Sequence, residues 1–369
     1  MQWSSRAMLS WLTRNISVKE GGNMAEWKEC LLGDLITFQR GHDLPKSKMS
    51  GNGYPVVGSN GIIGFHNEYT TEYPSITVGR SGNVGKPYIV YGRSWSHNTS
   101  LYIKEFKGTD PIFIYYFLQT LDLGNYAGGS AVPTLNRNHI HSLNVRVPAD
   151  VSTQEKIANT LKALDDKIDK NTDINKNLEQ QAQAIYQQMF ITNRNPNWEN
   201  GLLSDLVAVR YGKDHKKLKD GVYPVYGSGG IMRYVEKPLY TGESVLIPRK
   251  GTLNNVMYVN GAFWSVDTMF YTEMLRSNVA KFVYHFVKSK DLASMNAGSA
   301  VPSMTTNILN AMQLYIPDNE ILSTFEEIVS PMYSQMQENE KQSKKLADLR
   351  DTLLPRLMSG ELDISEIEF

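Results

Sequence analysis

The sequence predicts an α+β protein in which a strand-rich repeat occurs twice and each copy is followed by a long helix. The first observation is that YPVVGSNGIIGF at 54–65 matches YPVYGSGGIMRY at 223–234, and these segments begin 169 residues apart. The second is GSAVP at 129–133, which recurs at 298–302 with the same offset of 169. The third is a pair of long segments with heptad spacing. Separate matches in one register indicate an internal duplication.

The strand-rich part of each repeat consists of short β-branched and aromatic runs. In the first repeat these runs are SITVG, PYIVYG, TSLYI and NVRVP, and turn-forming Gly, Pro, Asn and Ser separate them. Such a pattern favours short strands joined by turns. The segment PIFIYYFLQTL at 111–121 has a helical pattern and is expected to pack on the sheet. The mixture favours an α+β fold over an all-β fold.

A long helix is predicted after each strand-rich part. The first begins with Ser152 as its N-cap and Glu155 as the capping-box partner. The apolar positions of both helices keep a 4-3 spacing. The first ladder is Ile157, Leu161, Leu164, Ile168, Leu178, Ala182, Ile185 and Met189, and the second is Phe325, Val329, Met332, Met336, Leu346, Arg350, Leu353 and Leu357. This spacing, sustained over several heptads, predicts coiled-coil seams.

The two helices are predicted to pair as an antiparallel coiled coil. Asn171 and Asn175 interrupt the first ladder near its middle, and Asn339 and Ser343 interrupt the second in the same way. Antiparallel pairing brings the polar positions opposite each other, which satisfies the buried amides and fixes the register. We expect this pairing to place the two strand-rich repeats at opposite ends of a rod.

These elements divide the chain into a leader and four structural segments. The leader or disordered arm is 1–26, the first strand-rich domain 27–150, the central spacer helix 151–191, the second strand-rich domain 192–318, and the C-terminal spacer helix with its tail 319–369. Pro331 is expected to force a kink or a restart in the last helix, with Ser330 as the cap of a restarted helix.

The composition is typical of a cytoplasmic protein without disulfides or metal sites. Lys and Arg total 38, as do Asp and Glu, so a nucleic-acid-binding face requires local segregation of charge. Cys30 is the only cysteine, and the seven histidines lack the spacing of metal ligands. No apolar run approaches the roughly 20 residues of a membrane span.

The first residues have two interpretations. The segment KEGG at 19–22 can be encoded by a bacterial ribosome-binding sequence just before the codon for Met24, so residues 1–23 are interpreted as a translated leader. The alternative is a genuine disordered arm. The absence of a small-residue cleavage site argues against a signal peptide.

Known catalytic motifs are incomplete in this sequence. The segment NPNW at 195–198 lacks the second proline of the Asn/Asp-Pro-Pro-aromatic motif of methyltransferases. GRSGNVGKP at 79–87 resembles a P-loop, but Pro87 stands where a Ser or Thr would hold magnesium. We therefore predict no catalytic residue and no cofactor in this chain. A stand-alone DNA-modifying enzyme with an unusual motif and a structural repeat protein are the alternatives.

Three segments resemble a known family. STQEKIANTLKALDDKI at 152–168, GSAVPTLN at 129–136 and LLPRLMSGEL at 353–362 are similar to parts of type I restriction-modification specificity subunits, and the resemblance covers residues 27–369. It implies that the two strand-rich domains are target-recognition domains, each reading one half of a split site in double-stranded DNA. It also implies that the two helices set the gap between the half-sites and recruit modification subunits.

The resemblance further implies a host-defence complex. Its other members would be two modification subunits, which bind S-adenosylmethionine and methylate adenine, and restriction subunits, which are endonucleases that use ATP and magnesium. This chain would choose the DNA site in the cytoplasm and leave the chemistry to those partners.

The DNA-binding residues are predicted from side-chain chemistry and from their position in loops. Polar and basic side chains on rigid supports contact base edges and phosphates. In the first repeat the predicted residues are Arg80, Ser81, Asn83, Lys86, His97, Asn98, Asn136 and Arg137. In the second they are Arg249, Lys250, Thr252, Asn254 and Asn255, together with a basic run for phosphate contact, Arg210, Lys213, Lys216, Lys217 and Lys219. The alternative for each residue is an ordinary solvated loop.

Comparison of the two repeats separates shared from specific functions. Arg80 and Arg249 are equivalent, as are Gly82 and Gly251, so these positions are expected to serve a common task such as phosphate contact or loop shape. The residues around them differ between the repeats. We expect the divergent loops to carry base identity.

Overall fold

The computed structural model describes residues 26–129, 133–295 and 303–364 of the chain. These residues form two compact units: unit 1 contains those numbered up to 172 and from 340 onward, and unit 2 contains those numbered from 173 to 339. The interpretation of residues 1–23 as a leader lies outside the described residues. The same is true of the GSAVP repeats apart from Gly129 and Pro133.

Unit 1 is built from short strands and helices that precede the first long helix. Its strands are β1 Trp27–Leu31, β2 Ile36–Arg40, β3 Tyr54–Gly58, β4 Gly61–His66, β5 Ser75–Gly79, β6 Pro87–Val90, β7 Trp95–Ser96, β8 Ser100–Phe106, β9 Ala127–Gly128, β10 Thr134–Leu135 and β11 Asn144–Pro148. Its short helices are α1 Leu32–Leu35, α2 Pro111–Gln119 and α3 Arg137–His141. The long helix α4 spans Val151–Tyr186 and continues as a π-helical segment, Gln187–Thr192.

The strands of unit 1 form small sheets, and the four-stranded sheet and the β1–β11 pair contribute side chains to its core. A four-stranded antiparallel sheet has the order β2-β8-β5-β6, and a three-stranded sheet has the order β4-β3-β7. Strands β1 and β11 pair with each other, as do β9 and β10. The apolar faces of the four-stranded sheet and of α2 meet in the core, where Phe38, Ile76 and Phe113 are fully buried.

Unit 2 repeats this plan, with several longer strands and one larger sheet. Its strands are β12 Asn200–Leu202, β13 Val207–Tyr211, β14 Asp220–Gly227, β15 Gly230–Val235, β16 Tyr240–Pro248, β17 Met257–Ser265, β18 Met269–Met274 and β19 Gln313–Tyr315. Its helices are α5 Ala280–Lys288, α6 Thr306–Asn310 and the long α7 Asn319–Ser359, which ends in unit 1. A six-stranded sheet has the order β13-β18-β16-β17-β14-β15.

The strand register shows that the duplication extends to individual residue positions. In unit 1, Gln39 of β2 faces Tyr102 of β8. In unit 2, Arg210 of β13 faces Tyr271 of β18, and Tyr271 is the residue 169 positions after Tyr102. The predicted α+β fold with an internal repeat is therefore confirmed, and each position of one unit can be compared with its counterpart.

The two long helices pair in antiparallel fashion, as predicted. In unit 1 the beginning of α4, with Ile157 and Leu161 buried, shares a core with Leu353 and Leu357 at the end of α7. In unit 2 the core contains Ala182 from the end of α4 and residues from the beginning of α7, including Phe325 and Val329. Burial of these ladders supplies most of the stability of such long helices, because helix propensity alone is marginal.

Polar contacts join the two helices at the breaks in the apolar ladders. Within unit 1, the amide of Asn171 donates to Gln342 Oε1 at 2.9 Å and to Ser343 Oγ at 3.1 Å. Within unit 2, the amide of Asn339 donates to Asn175 Oδ1 at 2.7 Å, and the Asn175 amide donates to the Met336 carbonyl at 3.1 Å. Asn171 and Asn339 are buried, so loss of a partner would leave an unsatisfied amide in the seam.

The N-terminus of α4 differs from the sequence prediction. The helix begins at Val151, one residue before Ser152, and Asp150 Oδ1 accepts the backbone N–H of Thr153 at 2.7 Å. This bond holds the pKa of Asp150 below its ordinary value. The prediction of Ser152 as N-cap was wrong because the preceding carboxylate is a stronger acceptor and also interacts favourably with the helix dipole.

Of the kink or restart predicted at Pro331, the restart does not occur. Helix α7 runs without interruption from Asn319 to Ser359, and the Ser330 hydroxyl donates to the Glu326 carboxylate instead of capping a new helix. Pro331 removes one backbone hydrogen bond of the helix. Burial of Val329 and Tyr333 on either side anchors the helix in the core of unit 2.

Unit 2 also buries charged and ionisable side chains on α5. Lys281, with a side chain only 4% exposed, donates to Glu243 at 2.8 Å and to Glu326 at 2.5 Å. His285 has no exposed surface and lies between Gln183 Oε1, 2.7 Å from Nδ1, and the Tyr333 hydroxyl, 2.9 Å from Nε2. The interior of unit 2 is therefore more polar around α5 than the amphipathic sequence of this helix indicates.

Among the described residues, no helix combines the length and the apolar character that crossing a membrane requires.

Candidate DNA interface

The equivalent arginines Arg80 and Arg249 have the same backbone environment. Arg80 follows β5, where its N–H donates to the Thr99 carbonyl at 2.8 Å and its carbonyl accepts the Leu135 N–H at 2.9 Å. Arg249 follows β16 and makes the matching bonds with Thr268 and Met304, both at 2.9 Å. The two loops therefore hold their arginines on the same framework.

The guanidinium groups are also anchored alike. Arg80 Nη1 donates to the Asn98 carbonyl at 3.5 Å, and Arg249 Nη1 donates to the carbonyl of Asp267 at 3.2 Å. Asp267 is the counterpart of Asn98 at the offset of 169. A single carbonyl satisfies only one of the five N–H donors of a guanidinium, so each arginine retains donors for a ligand.

The paired glycines determine the shape of these loops. Gly82 and Gly251 have φ angles of +85° and +84°, a conformation that favours glycine. A Cβ atom would lie 3.1 Å from Ser59 Oγ at Gly82 and 2.7 Å from Ser228 Oγ at Gly251. The two glycines therefore share a structural role in both units.

An open cavity of about 700 Å³ lies beside Arg80 in unit 1. Strand β2, strand β10 and helix α3 supply much of its wall, which consists of Gln39, Arg40, Arg80, Leu101, Gly128, Thr134, Leu135, Asn136, Arg137 and His139. The cavity brings together three of the predicted residues, Arg80, Asn136 and Arg137. It also contains Gln39, Arg40 and His139, which the sequence analysis missed.

Asn136 has a structural contact as well as a position in the cavity. Its Oδ1 accepts the N–H of Asn138 at 3.0 Å and thereby caps α3. In unit 2 the cap of α6 is Thr305, whose hydroxyl accepts the Ile308 N–H at 3.3 Å. The side-chain oxygen of Asn136 is thus engaged, which leaves its amide nitrogen for a ligand.

The remaining predicted residues of unit 1 lie in two neighbouring loops. Ser81 is half-buried and bridges to Thr134, whereas Asn83 and Lys86 are exposed. The Asn83 amide donates to the Tyr88 hydroxyl at 3.2 Å, and Lys86 Nζ lies 5.9 Å from the centroid of that ring.

The second loop contains His97 and Asn98. His97 Nδ1 lies 3.0 Å from the Thr99 hydroxyl. The Asn98 amide donates to the carboxylate of Asp43, which also accepts from Arg40. Asp43 therefore links this loop to the wall of the cavity.

In unit 2 two of the predicted residues mainly hold the loop together. The Asn254 amide donates to Asp291 at 3.0 Å and its oxygen accepts the Ala293 N–H at 3.0 Å. The Asn255 amide donates to the Ser228 carbonyl at 2.7 Å. Lys250 and Thr252 are exposed on the same loop.

The basic run of unit 2 divides into a paired and an unpaired part. Arg210 Nε donates to Glu273 at 3.0 Å across the β13–β18 pair, which offsets its charge. Lys213, Lys216, Lys217 and Lys219 are exposed and take no part in the salt bridges found among the described residues. The exposed lysines of this run therefore form the stronger phosphate-contact candidate.

Comparison with known proteins gives the same division into two repeats. Residues 24–180 and 195–347 match the family described as "Type I restriction modification DNA specificity domain". The chain is 23% identical over 303 residues to the type I restriction enzyme MjaIX specificity subunit of Methanocaldococcus jannaschii, covering 69% of this chain and 70% of that protein. It is 22% identical over 358 residues to the HindI specificity subunit of Haemophilus influenzae, with coverage of 68% and 77%.

The fold is also similar to a solved structure. The crystal structure of the type I restriction-modification system S subunit from M. genitalium superposes with a TM-score of 0.66, covering 92% of this chain and 98% of that one at 18% identity. The chain therefore belongs to the family of type I restriction-modification specificity subunits, the noncatalytic DNA-specificity subunits of these systems, and its two repeats are two target-recognition domains.

Proposed function

We propose that each unit reads one half of a bipartite site in double-stranded DNA. The observation that carries this proposal is the pair of loops around Arg80 and Arg249, which share their backbone bonds and their glycine while their neighbouring side chains differ. A common framework with divergent side chains is what two readers of different DNA sequences require, because phosphate contacts position a protein and base contacts specify the sequence.

The long helices have the second role in this proposal. Helices α4 and α7 set the gap between the half-sites and bind two modification subunits. S-adenosylmethionine then belongs to the modification subunits, and ATP with magnesium belongs to the restriction subunits. The contribution of this chain is the choice of the DNA site.

The contacts of the predicted residues refine their proposed roles. We assign phosphate contact to Arg80, Arg249, Lys213, Lys216 and Lys217, since each presents a positive charge in or beside a candidate loop. Base contact is assigned to residues of the loops around Arg80 and Arg249 that differ between the two units and have accessible polar atoms. Asn254 and Asn255 are assigned mainly to loop geometry, because their side chains already bond within unit 2.

The test is reconstitution of the complex on DNA that contains many sequences. The chain alone should methylate nothing, whereas the chain with its modification subunits should methylate adenines in one split sequence. Sequencing that detects methylated adenine gives the site directly, and modification subunits without this chain serve as the control. Methyl transfer by the chain alone, or methylation at an unsplit sequence, would contradict the proposal.

Replacing Arg80 tests the assignment of phosphate contact. In the assembled complex, Arg80→Ala should weaken binding to all sequences and reduce the slope of log K against log salt concentration by about 0.9, as expected for one lost phosphate contact. Arg93→Ala is the matched control, since Arg93 is an exposed arginine paired with Glu72 outside the cavity. Relaxed selectivity at a single base pair, with the salt dependence unchanged, would assign Arg80 to base reading instead.

A further inference from the structure

Arg40 ends strand β2 at the wall of the unit 1 cavity. Its side chain is 52% exposed, and its Nη2 donates to Asp43 Oδ1 at 3.1 Å. Among the described residues, this is the hydrogen bond that the guanidinium donates, so its other N–H groups remain available to a ligand. Arg40 is thus a donor group at the edge of an open cavity.

Asp43 fixes the direction of this donor group. Its carboxylate accepts from both Arg40 and the Asn98 amide, and the Asp43 side chain is itself 68% exposed. A guanidinium held by a carboxylate loses less rotational freedom on binding a ligand than a free one. The pair therefore presents donors from Arg40 next to an accessible acceptor from Asp43.

The matching position of unit 2 has different chemistry. Strand register makes Tyr211 the counterpart of Arg40. The Tyr211 ring lies 5.5 Å from the guanidinium carbon of Arg249 and packs edge-on against Phe270. Unit 1 thus places a second arginine in the wall of the cavity that Arg80 also lines, whereas unit 2 places an aromatic ring against the shared Arg249.

The backbone after this position is the same in both units. A Cβ atom on Gly41 would lie 2.1 Å from the His97 carbonyl oxygen, and one on Gly212 would lie 2.0 Å from that of Val266. Both glycines therefore permit the same close approach of the strand end to the neighbouring loop. The difference between Arg40 and Tyr211 is a difference in side chain on an equivalent backbone.

The Arg40–Asp43 pair matches one base pair in the DNA major groove. Guanine presents two acceptors there, N7 and O6, and its partner cytosine presents the N4 amino donor. Arginine binds the two guanine acceptors with two N–H groups, and aspartate accepts from cytosine N4. A phosphate fits the site less well, since the exposed Asp43 carboxylate would repel it.

We propose that this cavity of unit 1 binds the major-groove edge of a G·C base pair, with Arg40 reading guanine and Asp43 orienting Arg40 and accepting from cytosine. The inference rests on the proposed role of unit 1 as a DNA reader. It adds a specificity residue at a position where unit 2, with Tyr211, reads a different base pair or none.

The test uses the assembled complex with its modification subunits. The split sequence is first obtained by mapping methylated adenines, and binding is then measured on duplexes in which one guanine at a time is replaced by 7-deazaguanine, which lacks the N7 acceptor. At one guanine of one half-site, a change to another base should lower the affinity of the complex for the duplex roughly tenfold to hundredfold. Removal of N7 alone should lower this affinity by less. In Arg40→Ala that position should tolerate any base and 7-deazaguanine should have no further effect.

Arg40→Lys separates base reading from phosphate contact. Lysine keeps the charge and supports a phosphate contact, but it lacks the planar fork and donates to the two guanine acceptors in a less fixed geometry. We therefore expect Arg40→Lys to keep most of the affinity and to weaken the discrimination at that base pair. Asp43→Asn should weaken base discrimination at the same base pair. The control Arg146→Ala removes an exposed arginine of β11 outside the cavity and should leave the base discrimination of both half-sites unchanged.

The outcomes distinguish this inference from the proposed function. A uniform loss of affinity in Arg40→Ala with no relaxed position, or unchanged affinity and selectivity in that variant, would overturn the guanine assignment and leave unit 1 as a DNA reader. The same holds if neither half-site contains an essential G·C pair. Failure of the unaltered complex to methylate a split sequence would overturn the proposed function itself.

Discussion

Deletion of residues 171–177 together with 339–345 is expected to abolish methylation of the original sites and to move it to sites with a shorter gap. Seven residues of helix correspond to about 10 Å. At a rise of about 3.4 Å per base pair, this length equals roughly three base pairs. The expectation rests on the proposed role of α4 and α7 in setting the gap.

The structure favours assembly of this shortened protein. The deleted segments contain Asn171 with its partners Gln342 and Ser343, and also Asn175 with its partner Asn339. Because the bonded side chains leave together, no buried amide loses its partner. Removal of a whole heptad from each helix also keeps the apolar ladders in phase.

The measurement is methylation mapping on a DNA library in which the two half-sites are separated by every gap length. Deletion of 171–177 alone is the control, since it leaves Asn339 without Asn175 and puts the ladders out of register, so the complex should not assemble. An assembled double-deletion protein that still methylates the original gap would show that the helices do not set the spacing.

Acidification from pH 7 to pH 4 is expected to destabilise unit 2 by about 3 kcal/mol through His285 alone. Burial of this imidazole lowers its pKa from 6.5 to about 4. The folded state therefore keeps His285 neutral at pH values where the unfolded chain binds a proton. Each pKa unit corresponds to about 1.4 kcal/mol, so the stability is full above pH 6.5, falls as the pH decreases, and levels off below pH 4.

The surroundings of His285 support this direction. Its two ring nitrogens bond to Gln183 and Tyr333, both neutral, and Lys288 disfavours a second positive charge. Glu179 acts in the opposite direction and favours protonation. Burial outweighs the attraction of Glu179, since the net pKa is lowered.

Hydrogen exchange of the amides in α5 gives the stability of unit 2 within the intact chain. The difference in the free energy of unfolding of unit 2 between the wild-type protein and His285→Gln should vary with pH between 6.5 and 4. It should be constant outside that range. Comparison with the variant removes the contribution of Glu243, whose lowered pKa also makes stability fall in acid. The part of the Glu179 contribution that depends on His285 stays within the measured difference. An equal pH dependence in both proteins would contradict the role of His285.

Much of the fold is predictable from local patterns in the sequence. The duplication, the strand runs and the two heptad ladders are properties of residue type and spacing, and the fold that they predict is confirmed. The helix details were harder to predict. Asp150 and Ser152 are both good caps, and the choice between them depends on where the first turn begins. At Pro331, tertiary burial outweighs a local signal against helix.

The candidate interface is less predictable because its cavity is made by distant segments. Nothing in the local sequence distinguishes Arg40 from other residues at the end of a strand. Its position in a cavity becomes visible only in the fold, where β10 and α3 complete the wall. Polar loop residues such as Asn254 are of the types that contact DNA bases, yet their side chains form hydrogen bonds within the unit. Strand register, which identifies Tyr211 as the counterpart of Arg40, becomes available only with the fold.

The buried charge of Lys281 restricts how the two repeats can be recombined in an engineered protein. Its counterpart in unit 1, by the offset of 169, is Ile112. A recombinant that placed the strands and α2 of unit 1 next to the unit 2 part of α7 would set Ile112 where Lys281 pairs with Glu326. Such a mismatch leaves a carboxylate without its cation and costs about 3 to 5 kcal/mol. An engineered exchange that keeps this buried pair must therefore carry Glu326, and with it the beginning of α7, along with the strands and α5 of unit 2.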